Sequence, residues 1–301
     1  MSNRSEMRLH VLGSSCHLLF ESPPGQNEKL LGLARNELAR LEEKYASYAS
    51  TSIINSINQC AGTGVSTPLD AETRSLFNYV SALWDQSSHM FDPCSRLLHD
   101  CYDASGKLLA SESQLQEMLK LVDWTGLDVG TTGAHLSNKG MVINLDSCIR
   151  PYAVDCIRKI LLKNGVESAL IEMDQDVTSI GRQVDGSKWL LGVRYPKGTR
   201  SAISRIKLIN GGYAMRGNFE QRIRVNGENF GRAISPVDGH PVPGLLSVAV
   251  IAENCLTACS AASVARLKTE TSGIKWLENL GLPWLAVDRQ LHIHGPLAPA
   301  G

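Results

Sequence analysis

The sequence predicts an α+β fold, because helix patterns fill the first part of the chain and a mixture of short strands and helices follows. A strong hairpin signal, Asn226-Gly227, lies among those strands. With 301 residues and 43% hydrophobic content, the chain can bury a sizeable core. We predict a single domain over residues 1–301, with a helical and strand part at 8–125, an α+β core at 126–292 and a tail at 293–301.

Two amphipathic helices are predicted in the first part of the chain, followed by a shorter one. Over residues 26–46, apolar side chains recur at the three- and four-residue spacing of one helix face. They are Leu30, Leu31, Ala34, Leu38, Leu41 and Tyr45. Leu76, Val80 and Leu83 predict a second helix that ends before Phe91, and the pattern near 112–121 predicts the third.

Strand patterns dominate the rest of the chain. We predict strands at 140–143, 168–173, 189–194, 203–209, 219–225, 228–232 and 245–252. Helices are predicted at 152–163, where Asn164-Gly165 supplies a stop signal, at 257–267, and from Thr271-Ser272 to Gly281.

The charge balance argues against several classes of partner. Thirty basic and thirty acidic residues cancel, and no basic block with interleaved aromatic residues occurs. Neither nucleic acid nor an anionic membrane surface is therefore an expected partner. The first residues lack the long apolar run of a secretory signal or a membrane anchor, so we expect a cytoplasmic protein.

The eight cysteines are expected to be reduced thiols in that compartment. No CxxC pair occurs, and no spacing matches a zinc finger or ribbon. Cys255 and Cys259 are four residues apart and would share one helix face. Two interpretations fit this spacing, namely a metal or redox pair and a pair of small buried thiols in a packing helix.

Four short motifs follow one another along the chain. They are Leu12-Gly13-Ser14, the phrase YASYASTSIINSIN with Ser52 and Asn58, Phe91-Asp92-Pro93-Cys94, and Tyr152-Ala153-Val154-Asp155. With these motifs in this order, the chain resembles the ApbE family of FAD:protein FMN transferases over about residues 8–292. The resemblance implies a T-fold-like α+β flavin transferase fold, in which mixed sheets are flanked by helices.

The resemblance also implies an activity and a set of site residues. Members of this family bind FAD and Mg²⁺, cleave the pyrophosphate and attach FMN to a threonine of a target protein. The implied partners are therefore a flavin nucleotide and a target protein. Transferred position by position, the implied cofactor-binding residues are Leu12, Ser52, Phe91, Asp92, Asn144, Tyr152, Asp155, Arg216 and Ile234. The implied catalytic residues are Arg150, Asp176 and Arg232.

Several of these positions depart from the family pattern. In the phrase I-N-L-D-S-C-I-R-P-Y-A-V-D, Asn144 replaces an aspartate, Arg150 replaces a lysine and Pro151 replaces a glycine. Arg216 replaces a serine, and Arg232 replaces a histidine. The new arginines keep or add positive charge, which suits a phosphate or carboxylate ligand.

The implied metal site departs furthest from the pattern. Cys259 takes the place of the metal-binding aspartate, and Ser263 takes the place of a threonine. A thiol is a soft ligand and is usually protonated near neutral pH, whereas Mg²⁺ prefers oxygen ligands. We therefore expect no metal at these two degenerate positions, unless Asp146 or Asp238 compensates.

Three functions remain open from the sequence. The interpretation we favour is an FAD-binding protein whose FMN-transfer chemistry is lost or altered, with arginines in the cleft in place of the metal. Within it, Cys94, Cys148 and Cys259 are either packing residues or a thiol-lined surface for redox chemistry or another metal. The alternatives are an active Mg²⁺-dependent FAD:protein FMN transferase and a non-catalytic scaffold subunit.

Overall fold

A computed structural model describes residues 4–103, 107–194, 202–217, 223–225, 228–230 and 233–299. The helices are α1 Asn27–Tyr45, α2 Ile53–Gln59, α3 Ala71–Gln86, α4 Arg96–His99, α5 Glu112–Leu119, α6 Asp146–Lys163, α7 Cys255–Arg266 and α8 Glu270–Leu280. The strands of the first part are β1 Arg4–Val11, β2 Ser14–Glu21, β3 Leu127–Val129, β4 Ala134–Leu136, β5 Ser168–Met173, β6 Asp176–Ile180 and β7 Trp189–Arg194. They are followed by β8 Ala202–Leu208, β9 Gly211–Gly217, β10 Ile223–Val225, β11 Glu228–Phe230, β12 Ser247–Ala252, β13 Trp284–Val287 and β14 Ile293–His294.

An eight-stranded sheet runs through the molecule in the order β1-β2-β5-β6-β9-β12-β13-β14. All of its neighbouring strands pair antiparallel. Helices α6 and α7 pack on one face of the central strands, and α1 packs against α6. The largest apolar core lies on this helical side.

The β7–β8 hairpin covers the other face. Its side chains Trp189, Val193 and Ile206 pack against the central strands, for example against Tyr213 and Met215. Because both faces are covered, all five residues of β6 are buried and so are the first five of β9. The predicted α+β class with helix-flanked sheets is thus confirmed.

Most of the predicted elements occur within one or two residues of their expected bounds. They are α1, α5, α7, α8, β5, β7, β8 and β12, whereas α3 begins five residues before Leu76, the first residue of its predicted pattern. The antiparallel pairing of β10 with β11 confirms the predicted hairpin, although Asn226-Gly227 itself lies outside the described residues. No helix within the described ranges carries an apolar stretch long enough to cross a lipid bilayer.

The predicted strand at 140–143 is wrong. Met141 and Ile143 are buried as the pattern suggests, but the segment forms no strand. The side chain of Asn58 replaces a neighbouring strand, since it accepts from the Ile143 amide at 2.8 Å and donates to the Ile143 carbonyl at 3.0 Å. The apolar alternation therefore reflects an extended segment whose backbone is bonded to a side chain.

Helix α6 begins six residues before its predicted start and contains Pro151. Proline has no N–H, so the carbonyl four residues earlier, that of Ser147, loses its helical partner. The thiol of Cys259 on α7 donates to this carbonyl, at an Sγ to oxygen distance of 3.3 Å. A contact from another helix thus satisfies the group that the proline leaves open.

Helix α7 lies very close to β9 at Gly212. A Cβ atom at this position would come within 2.1 Å of the Cys255 amide nitrogen. Asp155 of α6 fixes the same helix end, because its carboxylate accepts from the amides of Cys255 and Leu256, both at 2.9 Å. The start of α7 is therefore held from the sheet and from α6 at once.

We predict opposite effects for two glycine-to-alanine changes. Gly212→Ala should lower the free energy of unfolding by about 3 kcal/mol or more, because the new methyl group overlaps backbone that cannot move aside. Gly32→Ala in α1 meets open space and should raise that free energy by about 0.5–1 kcal/mol. Urea denaturation of both variants measures the two effects. A Gly212→Ala protein as stable as the wild type would contradict the close contact.

Candidate functional site

A cleft of about 430 Å³ opens where several segments of the fold meet. Its walls include the Phe91-Asp92-Pro93 loop after α3, helix α4, the first turn of α6, the end of β9 and the C-terminal half of α7. Phe91, Asp92, Asn144, Arg150 and Arg216, five of the predicted site residues, line this one cleft, and the degenerate metal position Ser263 joins them. The fold therefore brings together residues that are far apart in the sequence.

The described walls of the cleft are rich in arginine. Arg96, Arg150, Arg216 and Arg266 line it together with two carboxylates, Asp92 and Asp146. An excess of guanidinium groups in a concave site attracts anions, and guanidinium groups match the geometry of phosphate oxygens. The electrostatics of the cleft suit a phosphate-bearing ligand.

Arg216 makes the shortest polar contacts at the floor of the cleft. Its Nη2 lies 2.7 Å and 2.8 Å from the two carboxylate oxygens of Asp176, and 2.6 Å from the Sγ of Cys259. Asp176 is only 3% exposed, so this ion pair lies largely out of water. Burial alone would lower the pKa of Arg216, but the adjacent carboxylate outweighs it and keeps that pKa above its ordinary value.

Cys259 is a neutral thiol in this arrangement. Burial raises its pKa to about 11, even though the nearby Arg216 acts in the opposite direction. The hydrogen bond from the thiol to the Ser147 carbonyl needs the proton to be present. Cys259 therefore acts as a hydrogen-bonding side chain that accepts from Arg216 and donates to Ser147.

These residues do not fit the divalent metal that the family resemblance implies. Both oxygens of Asp176 already accept from Arg216, and Cys259 retains its proton. Across the described ranges, no group of three or more His, Cys, Asp or Glu side chains is placed to hold a metal ion. Of the two carboxylates considered as replacements, Asp146 lines the cleft, whereas Asp238 lies in a separate hollow beside Met90.

Arg150 bridges the cleft to the β1–β2 turn. Its Nη1 donates to Ser14 Oγ at 3.1 Å and lies 3.5 Å from Asp174 Oδ2, while its Nε donates to the Asp146 carbonyl at 3.3 Å. Its side chain remains 35% exposed. A partly exposed guanidinium on the wall of the cleft is able to contact a bound anion.

Asp92 organises the loop that it belongs to. Its carboxylate accepts from the Cys94 amide at 2.7 Å, and from the indole of Trp84 and the amide of Trp124 at 3.1 Å each. Burial raises the pKa of Asp92, although these donors work in the opposite direction. The backbone amide of Asn144 contacts this loop, since it donates to the Pro93 carbonyl at 3.0 Å.

The other predicted residues lie outside the described cleft wall. Ser52 is fully buried and caps α2, and Asp155 holds the start of α7. The Tyr152 hydroxyl donates to Glu72 at 2.9 Å, the Leu12 amide donates to Glu42 at 2.7 Å, and Ile234 packs in a small apolar cluster. Arg232 lies outside the described residues. Its catalytic role and the cofactor contacts expected of the other five remain predictions.

Three wall residues escaped the sequence analysis, namely Arg96, His99 and Arg266. Arg96 and His99 are three residues apart in α4, and Arg266 follows Ser263 by three residues on α7. Side chains three residues apart share a helix face. Extending each motif by one helical turn would have found Arg96 and Arg266, and His99 lies three residues beyond Arg96 on the same helix.

The fold and the cleft together define an α+β protein with an arginine-rich cleft whose charge suits an anionic ligand. The chain belongs to the ApbE family, because the sequence model of that family matches residues 12–285. Among curated proteins, it is similar to the FAD:protein FMN transferases of Vibrio cholerae and Klebsiella pneumoniae. The identities are 23% over 150 residues and 28% over 132 residues. These matches cover 49% and 43% of this chain, and 45% and 40% of the two relatives, so less than half of each relative is spanned.

Solved structures confirm the fold over nearly the whole chain. The flavinyl transferase ApbE of Pseudomonas stutzeri superposes with a TM-score of 0.87 at 21% identity, covering 100% of this chain and 98% of the other. The ApbE protein of Thermotoga maritima gives 0.85 at 24% identity, with 97% and 96% covered. At these identities the likeness establishes the architecture, and function has to be argued from the site.

We predict that Cys259 resists alkylation in the folded protein. All eight cysteines lie in described parts of the chain, and Cys60 alone is not buried. Iodoacetamide near neutral pH should modify Cys60 first and should reach Cys259 only after unfolding, because alkylation needs an exposed thiolate. Peptide mass spectrometry before and after denaturation measures this. Labelling of native Cys259 as fast as Cys60 would show that it is an exposed thiolate.

Proposed function

We propose that this protein binds a flavin dinucleotide, FAD, in the arginine-lined cleft, and that the Mg²⁺-dependent FMN transfer implied by the family resemblance is lost or altered here. The observation that carries the proposal is the contact of Arg216 with Asp176 and Cys259. It places a guanidinium at the floor of the cleft and at the same time occupies the side chains that a metal would need.

The charge of the cleft supports a ligand with a pyrophosphate group. FAD carries two linked phosphates, and two of the cleft arginines, Arg150 and Arg216, stand at positions implied by the resemblance to contact the nucleotide or take part in its chemistry. Hydrogen bonds between guanidinium and phosphate are about twice as strong as neutral ones. A cationic cleft can therefore hold the diphosphate without a bridging metal.

The changed site argues for altered chemistry as well. Magnesium-assisted phosphoryl transfer uses the metal to neutralise charge on the phosphate and to orient the attacking group. A guanidinium neutralises charge, but it offers no open coordination position for an acceptor hydroxyl. The protein would then retain the nucleotide while transferring FMN slowly or not at all.

An active FMN transferase is the second candidate, and the similarity to curated FAD:protein FMN transferases favours it. Purification without added cofactor, followed by an absorbance spectrum and mass analysis of any released ligand, tests the binding proposal. A protein that is colourless and fails to take up added FAD would overturn it and leave the scaffold interpretation. Incubation with FAD, Mg²⁺ and a threonine-bearing acceptor separates the two candidates, since covalent FMN on the acceptor would establish transfer.

We predict that Arg150→Ala weakens FAD binding by about tenfold to a hundredfold, because the substitution removes a charged side chain that would donate hydrogen bonds to the ligand. Arg8→Ala is the matched control, since Arg8 is exposed, pairs only with Glu6 among the described residues, and does not line the cleft. Fluorescence quenching titration with FAD compares the two variants with the wild type. Equal affinities for all three would remove Arg150 from the binding site.

A further inference from the structure

The guanidinium of Arg216 lies between the carboxylate of Asp176, the sulfur of Cys259 and the Met215 carbonyl. We infer that this guanidinium is the resident cation of the cleft and that it contacts the diphosphate of the ligand directly, in place of a divalent metal ion. The inference rests on the proposed function for the identity of the ligand. The position of the charge follows from the geometry alone.

The sheet register brings Arg216 to Asp176. Strand β6 pairs with β9 so that Asp176 is opposite Ala214, and Arg216 is two residues further along β9 on the same face. Diagonal neighbours of this kind are within reach of a long side chain. The Nη2 group can therefore meet both carboxylate oxygens without distorting either strand.

Contacts on several sides fix the guanidinium in place. Nη2 donates to Asp176 and to Cys259 Sγ, and Nη1 donates to the Met215 carbonyl at 3.0 Å. Cys259 is itself anchored by the Ser147 carbonyl. A side chain held by both nitrogens of its fork is pre-organised for a ligand.

The same group keeps donors for a ligand. Arginine has five N–H groups, and Nε–H and the second Nη1–H have no hydrogen-bond partner among the described residues. The side chain of Arg216 lines the cleft and is 21% exposed to solvent. These donors can serve phosphate oxygens while the rest of the guanidinium remains bonded to the protein.

A covalently attached cation has a consequence for binding. The occupancy of a metal site depends on the concentration of free metal, whereas Arg216 is present in every molecule. The Asp176–Arg216 pair is neutral overall, so the net positive charge that attracts the ligand must come from other wall residues, such as Arg150 and Arg266. The affinity of the protein for a diphosphate should therefore not change when a metal chelator is added.

Calorimetric titration of the purified protein with inorganic pyrophosphate tests this directly. We expect binding in the presence of EDTA, with an affinity that added Mg²⁺ does not improve. In parallel, Mn²⁺ added to the ligand-free protein should show the electron paramagnetic resonance spectrum of the free ion. Binding of pyrophosphate only when Mg²⁺ is present, or stoichiometric Mn²⁺ binding that Mg²⁺ displaces, would overturn the inference.

FAD titrated under the same conditions separates this inference from the proposed function. Metal-free binding of pyrophosphate without binding of FAD would support the resident cation and refute the flavin ligand. Binding of FAD that is lost with EDTA would do the reverse. The two ideas therefore fail in different experiments.

Two variants assign the effect to Arg216. Arg216→Gln should weaken pyrophosphate binding by about tenfold or more, because a charged donor is lost. Arg182→Gln, at an exposed arginine bonded to the Gly186 carbonyl, should leave it unchanged. The double variant Arg216→Ser with Cys259→Asp places a second carboxylate beside Asp176 and should acquire Mn²⁺ binding and a melting temperature that rises with Mg²⁺. Unchanged pyrophosphate affinity in folded Arg216→Gln would refute the role, and the wild-type metal tests decide the question if these variants do not fold.

Discussion

The close contact between the start of α7 and β9 is the constraint on which the site depends. Because Gly212 has no side chain, the start of α7 can pack directly against β9. The carboxylate of Asp155 on α6 accepts hydrogen bonds from the first two amides of α7. These contacts fix the position of α7, which carries Cys259, relative to β9, which carries Arg216. Ser263 and Arg266, further along the same helix, thereby reach the cleft wall. A shift of the helix along the strand would separate all of these groups.

Three of the positions at which the sequence departs from the family pattern belong to one hydrogen-bonded chain. Pro151 leaves the Ser147 carbonyl without its helical donor, the thiol of Cys259 donates to that carbonyl, and Arg216 donates to the sulfur. A carboxylate at position 259 could not donate to the Ser147 carbonyl, since an ionised acid only accepts hydrogen bonds. The proline, the cysteine and the arginine are therefore linked by consecutive hydrogen-bonding requirements.

Much of the architecture could be predicted from the sequence, and the exceptions have physical causes. Helices such as α1 and strands such as β5 could be predicted from the periodic spacing of their apolar residues. Strand β9 could not, because its sequence Gly-Gly-Tyr-Ala-Met-Arg-Gly is buried on both faces and needs glycine for the close approach of α7. The segment at 140–143 was wrongly predicted as a strand. Its apolar residues alternate as in a strand, but its backbone is bonded to the side chain of Asn58 and not to a neighbouring strand. Neither the close approach of α7 to β9 nor the hydrogen bonds from Asn58 can be recognised from the local sequence pattern.

Five of the residues that line the cleft could be predicted from the sequence, but their connectivity could not. The resemblance identified Arg216 and Cys259 as departures from the family pattern and Asp176 as an implied catalytic residue. That the three side chains touch depends on the register of β6 with β9 and on the placement of α7, which are long-range features. Arg96, His99 and Arg266 were missed because they fall outside the motif boundaries.

A fixed guanidinium changes what the cleft can do with a bound diphosphate. Metal ions act both as charge and as coordination centres, so they can hold a phosphate oxygen and an attacking hydroxyl at once. Arginine supplies the charge with a directional set of donors and remains protonated at any physiological pH, so it cannot accept the proton of an incoming hydroxyl. Asp176, the nearest carboxylate, has both oxygens engaged by Arg216. Under the proposed function, the described groups of the cleft would therefore hold the phosphate rather than assist attack on it.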